Sequence, residues 1–253
     1  MLIGRALDVL DGVCDMRVVS VDGGLKDNAI PVESFAVVVV SDEKKAREAL
    51  EKFGDDLKNE YRTPDPDVTL CVESAAPTVL PMTNADSEKV VTLLTCMPNG
   101  LIELSMDVAG LPQTSLNLGI LTTSENEVSA SFCVRSSVSS QKEMLKKRLT
   151  RMTALLGGTV SYFGEYPAWE FKSDSPILKL CADVYEKKFG KKPVITAIHG
   201  GLECGLFSEK MPGLDCVSFG PDIFDIHTPR EKLSVSSLNR TWEFLLEVLK
   251  EMK

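Results

Sequence analysis

Residues 34 to 61 read SFAVVVVSDEKKAREALEKFGDDLKNEY, and the period of the apolar pattern changes once within them. FAVVVV is uncharged and mostly β-branched, the composition of a strand that packs inside a sheet. Directly after it, Ala46, Ala49, Leu50, Phe53, Leu57 and Tyr61 share one helical stripe, which TPDPD brings to a stop. A strand that runs straight into a long one-sided helix needs neighbouring strands to pair with and a core for the helix to cover. The chain is thereby restricted to layered sheet-and-helix architectures.

The flanking segments extend this pattern. GRALDVLDGV has helical spacing, and MRVVSVDGG reads as a strand ending in a glycine turn, after which Pro31 forbids helix continuation. VTLCVES, LIELSMDVAG, SLNLGILTTS and EVSASFCVRSS read as further strands, and DSEKVVTLLTCMP as a helix. Ser140 with Glu143 predicts a capping box that opens a helix ending at Gly157-Gly158. Residues 1–165 are therefore expected to form an α+β, lid-like or dimerising domain, with a mostly antiparallel sheet and helices on one face.

Beyond Glu165 the grammar changes. SDSPILKLCADVYEKKFG is a helix with Pro176 in its first turn and Gly190 at its end, PVITAI and LDCVSFG read as short strands, and WEFLLEVLKEM as a closing helix. Residues 166–253 are expected to be a partial α/β domain, in which loops at strand ends carry chemistry.

Composition narrows the function. A formal charge of −9 argues against nucleic acid, whose affinity rests on Lys and Arg neutralising phosphates. The longest apolar runs fall far short of the roughly 20 residues that cross a bilayer. With no charged-then-apolar leader at Met1, the expectation is a cytoplasmic protein. The seven cysteines form no CxxC pair and read as reduced core thiols.

Only two histidines occur in 253 residues. His227 lies in IFDIHTPRE, a loop with Asp222, Asp225 and Glu231; it is a candidate metal ligand or a plain surface residue. His199 lies in AIHGGLECGLF beside Glu203 and Cys204, which invites a thiol nucleophile, although the adjacent carboxylate would blunt it. Gly200-Gly201 either admits a ligand close to the backbone or simply makes a turn. Arg135 interrupts the small and apolar strand SFCVRSS, as a carboxylate-gripping fork or as a sheet-edge charge. Asn28 could donate to a ligand oxygen or serve its own turn.

Taken jointly, GGLKDNAIP, SLNLGI followed by CVRSS, AIHGGLECGLF and VSFGPDIFDIHTPRE resemble, in order and spacing, the M20 metallopeptidase family, in particular its aminoacyl-histidine dipeptidase branch. The resemblance runs through essentially the whole chain. It implies an α/β catalytic domain carrying two zinc ions and an inserted α+β lid that also forms a homodimer. It further implies that His227 is the last zinc ligand, that Arg135 clasps the free carboxylate of a dipeptide, and that Asn28 and Gly201 contact substrate.

One departure is large. The family's H-x-D motif, its bridging aspartate and its Glu-Glu pair with the general base have no counterpart here, and no H-x-D occurs anywhere in the sequence. The chain is similar to the C-terminal portion of such an enzyme, with no catalytic base of its own. A non-catalytic lid and dimerisation module is the alternative; a Cys-His hydrolase built on Cys204 ranks last.

Overall fold

The structure is a computed structural model that describes residues 1–76, 79–226 and 228–252. The chain divides into two compact units. The first comprises Met1–Glu103, Thr114–Arg135 and Gln141–Tyr162; the second comprises Leu104–Gln113, Ser136–Ser140 and Phe163–Lys253.

In the first unit, α1 (Leu2–Asp11) leads into β1 (Met16–Gly23) and β2 (Ser34–Val40), followed by α2 (Glu43–Tyr61) and α3 (Asn84–Cys96). Next come β3 (Gly100–Leu104), β4 (Pro112–Thr123), β5 (Val128–Ser136) and α4 (Ser139–Leu155). Among the described residues these strands form a five-stranded sheet, ordered β2-β1-β4-β3, with β5 also pairing β4. β1 pairs antiparallel with β2, from Met16 opposite Val40 to Gly23 opposite Ser34, with an irregularity between Val18 and Ser20. At that irregularity the Val18 amide donates to the Ser87 hydroxyl at 2.9 Å, so α3 satisfies a group beside the bulge.

The core of this unit lies on one side of the sheet. Ala6, Leu7 and Leu10 of α1, Leu50 and Phe53 of α2, and Val91 and Leu94 of α3 pack with Val18 and Val21 of β1 and Leu118 of β4. Leu145 and Leu149 of α4 pack with Leu116 of β4 and Val134 of β5. Phe132 of β5 adjoins both clusters, so residues 116 and 118 on β4 and 132 and 134 on β5 face the helices. α1 and α3 approach closely because Gly4 lacks a side chain; a Cβ there would meet the Leu94 Cβ at 2.6 Å. The expected sheet with helices on one face is present, and antiparallel pairing is seen for β1 with β2 and with β4.

In the second unit, α5 (Pro176–Phe189), α6 (Glu203–Lys210), β6 (Ile223–Phe224), β7 (Lys232–Leu233) and α7 (Val235–Glu251) surround a smaller core. Cys181 and Val184 of α5 pack with Phe244 and Val248 of α7, and the Tyr185 and Phe244 rings meet edge-on at 5.6 Å. Both ends of α5 follow from local signals. The Ser175 hydroxyl accepts from the Leu178 amide at 3.1 Å, Pro176 opens the first turn, and Gly190 closes the helix at φ +70°.

Several sequence expectations need correction. PVITAI and LDCVSFG do not form a ladder with any described residue; both segments stay outside the strands, and the second unit's sheet is the two-stranded antiparallel β6–β7. The two strands expected at 193–198 and 214–220 are thus not formed among the described residues, because pairing needs a neighbour that an apolar run alone does not supply. VTLCVES is also not a strand. Its alternation is real, with Val68, Leu70 and Val72 packed on the first core, but the Val72 carbonyl accepts from Arg47 of α2 at 3.2 Å. The expected strand 101–110 ends at Leu104, where the Ser105 hydroxyl accepts from the amides of Asp107 and Val108 and turns the chain.

α4 begins at Ser139, placing Ser140 inside the first turn, and Glu143 pairs with Lys146 at 3.2 Å in place of the expected capping box. α7 begins seven residues before Trp242, because Ser234 caps it by accepting from the Ser237 amide. The cysteines are free thiols; Cys181 is buried in the second core and Cys14 packs half-buried against the first, whereas Cys71 and Cys96 are exposed, against the core-thiol reading. Among the described residues no helix is long and apolar enough to cross a membrane.

Candidate functional site

The alternation that turns Leu116 and Leu118 toward this unit's helices turns Asn117 and Gly119 to the opposite face of the sheet. On β5 the same alternation turns Arg135 away from the face of Phe132 and Val134. The loop that follows β1 folds over this side at β4. The Asn117 side-chain amide donates to the Asp27 carbonyl at 3.2 Å and to the Ala29 carbonyl at 2.7 Å, gripping the backbone on either side of Asn28. Gly119 makes the approach possible, since a Cβ there would run into the Asp27 backbone. Gly24 meets the same strand from the loop side, at φ +75°, where a side chain would strike the Gly119 carbonyl.

Asn28 itself is exposed, on the loop whose backbone Asn117 holds on either side of it. Arg135 is exposed, and no described residue accepts from its guanidinium. Two sequence candidates thus share one face of the first unit: an exposed asparagine on a clamped loop and an exposed cationic fork. Such a pair suits a small molecule bearing a carboxylate and a carbonyl. Sequence reasoning missed Asn117, Gly119 and Gly24; the available signal was an Asn-x-Gly inside an otherwise apolar strand.

The other candidates lie in the second unit. Gly201 is exposed and sits against the Tyr166 ring, where a Cβ would lie 2.6 Å from a ring carbon, so packing already demands glycine there. Burial pushes the Cys204 thiol above its ordinary range, and Cys216 and Glu203 push it the same way, the reverse of what a nucleophile needs. Asp215 accepts from the Ser175 hydroxyl at 2.6 Å and the Ile177 amide at 2.9 Å, tying the 214–220 segment to the start of α5. Burial works to raise its carboxyl, but those donors and Lys172 outweigh it and hold it below the usual carboxylate range.

His227 lies outside the described residues. Its described neighbours form a tight turn: Asp225 adopts φ 53°, and its carbonyl accepts from the Thr228 amide at 3.1 Å and the Thr228 hydroxyl at 2.7 Å. Among the described residues no group of three His, Cys, Asp or Glu side chains is placed to hold a metal ion. The described donor set therefore does not fit a two-zinc centre.

The chain belongs to peptidase family M20/M25/M40, whose family model matches residues 10–251. It is 34% identical over 240 residues to the cytosol non-specific dipeptidase of Escherichia coli (strain K12), covering 94% of this chain and 50% of that protein. The crystal structure of the aminoacylhistidine dipeptidase from Vibrio alginolyticus superposes with a TM-score of 0.89 at 35% identity, over 100% of this chain and 52% of that one. The chain thus spans about half the length of the relatives it matches.

Proposed function

We propose that this chain is the substrate-clasping and closing portion of a zinc-dependent dipeptidase that cleaves Xaa-His and other dipeptides. Residues 1–165 act as lid and dimerisation domain and residues 166–253 as the closing portion of the catalytic domain. Arg135 receives the free carboxylate of the dipeptide in a two-point fork, Asn28 donates to a substrate oxygen, and Gly201 lets the substrate backbone approach. His227 supplies one metal ligand. The remaining ligands and the general base would belong to the complete enzyme, in which bound zinc would supply an activated water; this chain alone does not hydrolyse peptides and works in the cytoplasm.

The observation that carries this reading is the exposed Arg135 guanidinium, without a described partner, on the same face of the sheet as the clamped Asn28 loop, opposite this unit's helices. A guanidinium kept only as a sheet-edge charge has no use for an ordered amide on its own face. Titrating the chain with an Xaa-His dipeptide should shift the Arg135 side-chain Nε resonance, and the C-terminal amide of the same dipeptide should not. Equal shifts from both ligands, or none, would refute carboxylate recognition.

A second reading, the self-associating module, is favoured by β2. It is an edge strand, paired only with β1 in the sheet order, and SFAVVVV carries no charge, proline or bulge of the kind that protects an edge. The two readings are compatible, because the edge lies in the lid.

A further inference from the structure

A sharp reversal after α6 lays the next segment back against that helix. Gly213 takes φ 88°, and the Leu214 amide donates to the Met211 carbonyl at 3.0 Å, so the chain turns within a few residues. Cys204 and Ser208 lie one turn apart on the same side of α6. Cys216 arrives on that side: its Sγ lies 3.5 Å from the Ser208 hydroxyl oxygen and donates to the Cys204 carbonyl at 3.9 Å. The two thiols also interact directly. Burial first, and then the charge and hydrogen bond of Cys216, hold the proton on Cys204.

The backbones that carry this pair are anchored. Cys216 follows Asp215, whose carboxylate accepts from the Ser175 hydroxyl at 2.6 Å and the Ile177 amide at 2.9 Å. α6 is pressed against Pro167, where a Cβ on Gly205 would lie 2.8 Å from the carbonyl oxygen. Thiols in contact on fixed backbones have converging Cβ–Sγ bonds, which is the condition a disulfide imposes. Both are half-buried, within reach of a small molecule, whereas a thiol enclosed in apolar core is inert.

We propose that Cys204 and Cys216 form a reversible dithiol–disulfide site that takes a low-molecular-weight disulfide as its oxidant. The Cys216 thiolate attacks one sulfur of the oxidant, whose S–S bond breaks, and the departing small thiolate takes up the proton that Cys216 released. Cys204 then gives up its proton, and its sulfur attacks the Cys216 sulfur of the mixed disulfide. The second small thiolate is expelled and takes up that proton. Two protein thiols are oxidised to one disulfide, and one small disulfide is reduced to two thiols. The order follows from the site: a thiol that holds its proton is the poorer first attacker, but the stronger nucleophile once deprotonated beside its target. In a reducing compartment the exchange runs backward, so the bridge is transient there. The proposal does not rest on the dipeptidase reading, because none of the residues assigned in that reading takes part.

The test is incubation of the folded chain with oxidised glutathione, alkylation of the remaining thiols, and peptide mapping by mass spectrometry. The expected product at these positions is a 204–216 disulfide with no lasting glutathione adduct, and dithiothreitol should restore both thiols. Cys204→Ser should instead keep a stable adduct on Cys216. In urea, tryptophan fluorescence should show a roughly 100-fold smaller unfolded population for the bridged chain than for the reduced one, the effect of closing a loop of about a dozen residues. Free thiols at both positions after oxidation, glutathione persisting on either in the wild type, or a bridge that forms only in urea would overturn the proposal. A bridged chain less stable than the reduced one would overturn it as well, since that bridge would have to strain the fold.

Discussion

Replacing Asn117 with alanine isolates the device that holds Asn28 in place. The amide makes two hydrogen bonds to main-chain carbonyls on either side of Asn28, at 3.2 and 2.7 Å, and no other described side chain makes such a bond to this loop. A neutral hydrogen bond contributes about 0.5–1.5 kcal/mol net, so the pair is worth roughly 1–3 kcal/mol to the closed loop. The freed carbonyls of Asp27 and Ala29 can turn to water, which confines the loss to the loop and leaves the buried face of β4 intact. The local opening constant should rise by a factor of about 5 to 150 on the usual conversion of free energy to populations. Amide exchange at Ala29, whose N–H donates to the Lys26 carbonyl at 3.3 Å, reads that opening directly. The account expects faster exchange at residues 26–30 with little change at Leu116 and Leu118. Unchanged loop exchange, or a uniform acceleration throughout the sheet, would refute the clamp.

Other outcomes follow from the same structure. Gly119→Ala should displace the Asn28 loop, because its Cβ meets the Asp27 backbone; loss of Asn28 side-chain order by NMR checks this. Gly4→Ala should destabilise the first unit by about 1–3 kcal/mol in urea unfolding, because Leu94 must move to admit it. Asp215 is held below its ordinary value of 3.8, so its contribution is fully present above that pH and is lost as pH falls through the depressed folded value. Both tryptophans, Trp169 and Trp242, lie in the second unit, so their fluorescence should report this acid loss and its absence in Asp215→Asn. Val39→Lys on the β2 edge should abolish the self-association proposed for it, leaving a monomer by light scattering, and a dimer that the substitution leaves unaffected places the association elsewhere.

How far the sequence could be read depended on the range of the interactions involved. Ser175, Pro176 and Gly190 act within one turn of α5, and both of its ends are where they indicate. The stripe from Ala46 to Tyr61 fixed α2 for the same reason, and Asp42, accepting from the Lys45 amide, caps it. The segments 68–74, 193–198 and 214–220 have the composition of strands, yet strand formation is decided by a partner distant in sequence. In the first of them that partner is Arg47 of a helix. Ser140 and Glu143 satisfied the capping spacing, but Lys146, one turn along, competes for the same carboxylate. Arg135 and Asn28 were legible as polar residues at informative places. That they share a face required the alternation of β4 and β5, and the Asn117 clamp joins residues about ninety apart, beyond any local pattern. The role proposed for His227 came from the family resemblance; spacing alone left it open.

The most direct test of the central claim is the rate of Xaa-His hydrolysis by the purified chain with zinc present, measured alone and again with the uncovered portion of the E. coli dipeptidase bound. The account predicts no hydrolysis above background by the chain alone and hydrolysis by the pair that falls when Arg135→Ala is introduced. Turnover by the chain alone would contradict it.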